Sequence, residues 1–155
     1  MRGIKGLSWV VLVLGIIAIL MGGTFLGLGF MRDNQIKSEM RAENVSLANL
    51  GVQGVDENNV IDSMSEAEKA ANTVKEHRHG IAASYEELLA GGRFDPTNPQ
   101  HLSYSQAINL ENYLYLGVMA LGITSLTMAS GVFMLITGIA LVILGLVVQR
   151  VVSAA

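Results

Sequence analysis

The run "LSWVVLVLGIIAILMGGTFLGLGFM", residues 7–31, contains no charged residue. A second uncharged run, "NYLYLGVMALGITSLTMASGVFMLITGIALVILGLVVQ", covers residues 112–149. About 20 predominantly apolar helical residues span the hydrocarbon core of a bilayer. Both runs exceed that length, so the sequence predicts an all-α membrane protein with two transmembrane helices. The first run is also longer than the apolar region of a signal peptide, which predicts an uncleaved anchor.

The segment between the two runs carries the acidic charge of the protein. It holds all 13 Asp and Glu residues against seven Lys and Arg, a net charge of −6. Basic residues flank the opposite ends of the runs at Arg2, Lys5 and Arg150, as the positive-inside rule requires of cytoplasmic segments. We therefore predict a multi-pass protein of the cell membrane with both termini in the cytoplasm. The predicted segments are a cytoplasmic N-terminus (1–6), a transmembrane helix (7–31), a small extracytoplasmic helical cap (32–111), a long helix that includes the second transmembrane span (112–149), and a cytoplasmic C-terminus (150–155).

Ser65, Ser84 and Ser103 are each followed three residues later by Glu or Gln, which is the capping-box pattern that starts a helix. The first predicts a helix over residues 66–79, capped by Ser65 and ended by Gly80. The others predict a short helix after Ser84 and a helix that runs from Ser103 into the second apolar run. Residues 112–116 are expected to pack under the outer helices, because the second run is too long for the bilayer alone. The expected buried face of the predicted helix over residues 66–79 consists of Ala67, Ala70, Ala71, Val74 and His77.

The stretch "TVKEHRHGIAASYEELL", residues 73–89, poses the question of a metal site. His77 and His79 point to opposite sides of a helix and cannot bind one ion together. Glu76 and His79 share a face, as in the Glu-x-x-His elements of di-iron bundles, but such sites need a second element that the sequence lacks. We therefore expect no metal and no cofactor. The weak metal candidates are Glu76, His79 and His101.

Other chemistry has little support in the sequence. There is no cysteine, no glycine-rich phosphate loop and no G-x-S-x-G motif. Neither apolar run contains a charge of the kind that marks ion or proton paths. The acidic pI of about 5.5 argues against nucleic-acid binding. The sequence therefore favours a protein that is not an enzyme.

Small residues recur every seven positions in both apolar runs. A seven-residue repeat keeps one seam facing a partner helix, and small side chains let transmembrane backbones approach closely. Chance is the competing explanation, since glycine is frequent in transmembrane helices. The predicted packing positions are Gly15, Gly22, Gly29, Gly117, Gly131, Gly138 and Gly145. Ser8 and Thr124 have the same seven-residue spacing.

Two further stretches, "VKEHRHGIAASYEELL" and "LENYLYLGVMALGITSLTMASGVFMLITGIAL", suggest a family. With the N-terminal anchor, they resemble small two-span membrane proteins of actinobacteria and related bacteria. Those proteins are often mislabelled as aromatic ring-opening dioxygenase small subunits. The label implies a non-haem iron enzyme, but this chain supplies no iron-binding triad, so the resemblance carries over no catalytic residue.

The leading functional hypothesis is a structural or accessory subunit that packs through its glycine seams. Its expected partners are the lipid bilayer and either further copies of itself or other membrane subunits. The first alternative is a ligand-binding or sensing module built on the extracytoplasmic segment. The second is a metal-dependent enzyme that uses Glu76, His79 and His101.

Overall fold

The structure, a computed structural model, describes residues 2–56 and 59–154. Within these ranges the regular elements are helices, apart from one isolated antiparallel bridge between Ser46 and Val60. This confirms the all-α prediction. The helices are α1 (Arg2–Ala42), α2 (Met64–Ile81), α3 (Tyr85–Leu89) and α4 (Pro99–Ala154).

Helices α1 and α4 are both long and apolar enough to cross a membrane. Helix α1 continues beyond the apolar run as far as Ala42. Helix α4 runs without a break to Ala154, as expected for a segment with no proline beyond its first residue. The chain divides into two compact units, which we call the hairpin unit (Met1–Asp33 with Ile123–Ala155) and the helical unit (Asn34–Gly122).

The hairpin unit consists of antiparallel segments of α1 and α4. Its interior holds small residues, whereas its large aliphatic and aromatic side chains point outward. In the most apolar 18-residue stretch of each helix, only 11% of α1 and 17% of α4 is buried. A water-soluble protein places its large apolar side chains in the core. The hairpin unit has the reverse arrangement.

The helical unit has its own apolar core. Leu114 of α4 and the loop residues Leu47 and Ile61 pack against the alanine-rich face of α2. The hydroxyl of Tyr115 donates to the side-chain oxygen of Asn72 at 2.8 Å, so Leu114 and Tyr115, within the predicted stretch 112–116, pack against α2. The buried residues of α2 are Ala67, Ala70, Ala71, Val74 and Arg78.

The predicted bounds of α2 were wrong at both ends. The N-cap is Ser63, whose Oγ accepts the Glu66 backbone N–H, so the helix starts before Ser65. Gly80 lies inside the helix, which ends when the Ala82 N–H bonds to the Arg78 carbonyl. His77 is exposed, because the buried face continues from Val74 to Arg78, four residues on.

The start of α3 agrees with the prediction, and the start of α4 does not. The Ser84 side chain accepts the Glu87 N–H, and Ala90 ends α3 in the left-handed conformation with φ 46°. Helix α4 begins at Pro99, ahead of the expected cap at Ser103. Proline suits a first helical position, since its missing N–H would have no partner there. The Asn98 side chain caps the turn by accepting the Gln100 N–H at 2.9 Å.

Candidate functional site

The glycines of the two apolar runs meet inside the hairpin unit. A Cβ atom built on Gly15 would lie 2.8 Å from the carbonyl oxygen of Gly138, and one built on Gly138 would lie 2.8 Å from that of Gly15. Gly22 and Gly131 face each other at the same 2.8 Å distances. The helix backbones therefore touch at these two levels, where no side chain fits without moving a helix.

The contact extends one heptad beyond these pairs in both directions. A Cβ on Gly145 would lie 3.2 Å from the Ser8 carbonyl oxygen. A Cβ on Gly29 would lie 3.4 Å from the Thr124 carbonyl oxygen and 2.6 Å from the Met128 side chain. Each seven-residue step along α1 is thus matched by a seven-residue step back along α4. We call this run of contacts the glycine seam.

Three glycines of the same two helices lie outside the seam. A Cβ on Gly23 or Gly27 would have no neighbour within 4 Å, although both lie in the same helix. Gly117 continues the seven-residue spacing, but its Cβ would touch only the Met40 side chain, at 3.6 Å. Gly117 therefore belongs to the helical unit rather than to the seam.

A carboxylate lies at one end of the seam. The Thr124 hydroxyl donates to Oδ1 of Asp33 at 3.2 Å, and both residues are buried. The sequence assigned Asp33 to the polar segment and gave no sign of this contact. Thr124 thus has two roles, since its backbone packs near Gly29 while its side chain binds the carboxylate.

The three weak metal candidates are not brought together. Glu76 and His79 are exposed on α2. Nδ1 of His101 accepts the Asp95 N–H at 3.0 Å, and its Nε2 lies 3.1 Å from the Leu88 carbonyl oxygen, to which it donates. Both ring nitrogens are thus used, one in holding the loop before α4 and the other in holding the end of α3. Across residues 2–56 and 59–154, no three His, Asp or Glu side chains are placed to share a metal ion.

A buried ionic network in the helical unit was missed by sequence reasoning. Nε of Arg78 lies 2.7 Å from Oε2 of Glu111, and Nη1 of Arg78 donates to the Tyr104 hydroxyl at 2.6 Å. The guanidinium carbon also lies 5.1 Å from the centre of the Tyr104 ring. All three residues are buried. The hydrogen bond to Glu111 raises the pKa of Arg78 further, against the opposing effect of burial.

This network is suited to holding helices rather than to proton transfer. A guanidinium stays protonated across the physiological pH range, so it supplies donors and a fixed charge. It joins α2 to α4 at two points, through a carboxylate and a phenol seven residues apart on α4. The Tyr85 ring, just after the α3 N-cap, lies 6.3 Å from the Tyr104 ring and brings the third helix to the same place.

Comparison of the chain with protein-family models, with curated proteins and with solved structures found no match. The resemblance to small two-span bacterial proteins therefore stays a prediction. The features that bear on function are the glycine seam, the outward apolar surface and the helical unit.

Proposed function

We propose that this chain is a non-enzymatic integral membrane protein that serves as a structural or accessory subunit. The observation that carries the proposal is the reversed hairpin unit, with glycine inside and large apolar side chains outside. Phe133 and Leu126, for example, are 70% and 68% exposed. Soluble monomers rarely expose apolar patches larger than a few hundred Å². Lipid removes the cost of exposing such side chains.

The seam supports a structural role over transport. A path for ions or solutes between two helices needs space and polar groups along its length. Here the backbones touch at Gly15 and Gly22, and both helices present aliphatic side chains on their other faces. The seam is filled within one chain. Association with further copies or with other membrane subunits would therefore use the outward faces of α1 and α4.

The proposed orientation follows from charge. Arg2, Lys5 and Arg150 place both termini in the cytoplasm by the positive-inside rule, and the acidic residues 32–111 outside.

Orientation can be tested with single cysteines at Ser65 and Ser153, which are both exposed, in a chain with no cysteine of its own. An impermeant thiol reagent should label intact cells at position 65 and should reach position 153 only after lysis. The opposite pattern would overturn the orientation.

The subunit role needs a separate experiment. Native mass spectrometry of the protein, gently extracted from its own membrane, should give a homo-oligomer or a complex of defined stoichiometry. Recovery in the soluble fraction would contradict membrane insertion. A monomer with one bound small molecule would favour the ligand-binding alternative, for which a cavity in the helical unit is the specific support.

A further inference from the structure

The helical unit contains an apolar cavity of about 390 Å³. The most buried residues that line it are Ile61 and Leu114, which are 2% and 7% exposed. Small-molecule sites in proteins are typically apolar clefts of about 300–1,000 Å³ with a few placed polar groups. The residues that line the cavity are Met40, Glu43, Val45, Ile61, Leu110, Tyr113, Leu114 and Gly117.

Gly117 lines the cavity from α4 and has no side chain to fill it. It keeps the seven-residue spacing of the seam, yet the nearest atoms to a Cβ there are Cε and Sδ of Met40, at 3.6 and 3.8 Å. Met40 itself lines the cavity and has a flexible side chain. A larger residue at position 117 would therefore occupy the space that a ligand needs, without meeting another backbone.

Two polar groups accompany the apolar walls. Glu43 is the one charged residue among the lining residues, and Tyr113, whose side chain is exposed, is the one aromatic residue among them. The basic residue nearest to Glu43 in the chain, Arg41, is bound to Asp62 at 2.7 Å. A carboxylate and an aromatic ring that line one cavity can together attract an organic cation, the first through charge and the second through the ring face. The acidic segment, with its net charge of −6, adds a longer-range attraction for cations.

We propose that this cavity binds a cationic amphiphile, an apolar chain that ends in a single ammonium group. The chain occupies the space between Met40, Leu114 and Gly117, and the ammonium group lies against Glu43 and Tyr113. An amphiphile with a carboxylate head group would place a like charge beside Glu43. A neutral amphiphile would make the apolar contacts but would have no charge interaction with Glu43. The site is separate from the glycine seam, so it goes beyond the proposed structural role and does not depend on it.

The test uses the full chain in phosphatidylcholine nanodiscs and three probes of equal length: dodecylamine, dodecanol and dodecanoate. Isothermal titration calorimetry, corrected with empty nanodiscs, should show saturable 1:1 binding of dodecylamine at neutral pH. Dodecanol should bind about tenfold more weakly, and dodecanoate more weakly still. Equal affinity for dodecylamine and dodecanoate, or no saturable binding of the amine, would overturn the proposal.

Two variants locate the site. Gly117→Leu should fill the cavity and reduce amine binding at least tenfold. Gly122→Leu is its matched control on the same helix, because a Cβ there would touch only Met64, at 3.9 Å. Glu43→Gln should remove the preference for amine over alcohol, whereas Glu39→Gln, which does not line the cavity, should keep it. If Gly117→Leu fails to fold by circular dichroism, the Glu43→Gln result decides, and an unchanged preference would overturn the proposal.

Discussion

Gly15 and Gly138 meet backbone to backbone, and a Cβ on either would lie 2.8 Å from the carbonyl oxygen of the other. Carbon and oxygen approach no closer than about 3.3 Å even in favourable C–H···O contacts. A Cβ atom has no rotamer that relieves the clash, so the helices would have to separate. In lipid, separating the helices loses the dispersion contacts between them, and no gain in hydrophobic free energy compensates for that loss.

The first prediction concerns alanine in the seam. Gly22→Ala and Gly138→Ala should each destabilise the hairpin unit by about 1–3 kcal/mol, the usual cost of overpacking. Gly23→Ala is the matched control, since a Cβ there has no neighbour within 4 Å. It should be neutral or stabilising, because alanine is the better helix former by up to about 1 kcal/mol. Unfolding by sodium dodecyl sulfate in mixed micelles, followed by circular dichroism, measures the difference. Equal effects at positions 22 and 23 would show that the seam is not tight.

The second prediction concerns the buried ionic network. Glu111→Leu leaves the Arg78 guanidinium buried without its carboxylate, and loss of one partner of such a pair costs about 3–5 kcal/mol. Combining it with Arg78→Met should recover part of that loss, because an apolar pair has no unpaired charge. Tyr104→Phe, which removes one acceptor, should cost about 1–3 kcal/mol. The same unfolding assay applies. Additive losses in the double variant would contradict the coupling.

The third prediction concerns acid stability. Partial burial raises the pKa of Glu66, but bonds from the Ser63 hydroxyl, the Asp62 N–H and the Asn59 side chain outweigh it and hold the pKa below its usual 4.5. A carboxyl with a lowered folded-state pKa stabilises the fold above its unfolded pKa. That contribution is lost as the pH falls below about 4.5, toward the folded-state value.

Glu66→Gln should therefore be less stable than the wild type at pH 7, and the gap should close as the medium is acidified. The free energy of unfolding, measured at several pH values for both proteins, gives the gap directly. Glu68→Gln, on the exposed side of the same turn, is the control and should leave the pH dependence unchanged. A gap that stays constant down to pH 3, about 1.5 units below the usual value, would contradict the proposed role of Glu66.

The fourth prediction separates two histidines that the sequence treated alike. His101→Phe keeps a ring that can stack on Phe94 but removes the hydrogen bonds to Asp95, in the loop before α4, and to Leu88, in α3. It should cost about 1–2 kcal/mol and speed amide exchange at Asp95. His79→Gln, at an exposed position, should stay within about 0.5 kcal/mol of the wild type. Stoichiometric iron or zinc in the wild type, lost in either variant, would instead support a metal site.

The seam positions could be read from the sequence because a seven-residue spacing of glycines is a local property. Their partners could not, since the spacing fits a second copy of the chain as well as it fits α4. The N-cap of α2 shows a different limit. Ser63 and Ser65 are both followed three residues later by a glutamate, so the pattern alone does not choose between them. The choice is made by Asn59 and Asp62, which bind Glu66 and not Glu68.

Arg78 shows why the buried network escaped prediction. Its place among the basic residues of the last turn of α2 is typical of a solvent-exposed side chain whose charge the helix dipole favours. The groups that bury it, Tyr104 and Glu111, lie 26 and 33 residues away in the chain. No local pattern links an arginine to partners at that distance. The cavity near Gly117 escaped for the same reason, because its walls come from three separate segments.

The pairing of Gly15 with Gly138 also sets an order of events during synthesis. About 120 residues separate the two glycines. A ribosome adding about 5–20 residues per second needs roughly 6–24 s to make that length. Throughout this interval the small-residue face of α1 has no partner from its own chain and is open to lipid or to a chaperone. The helical unit is complete in the nascent chain first, so the hairpin unit is the last part of the molecule to close.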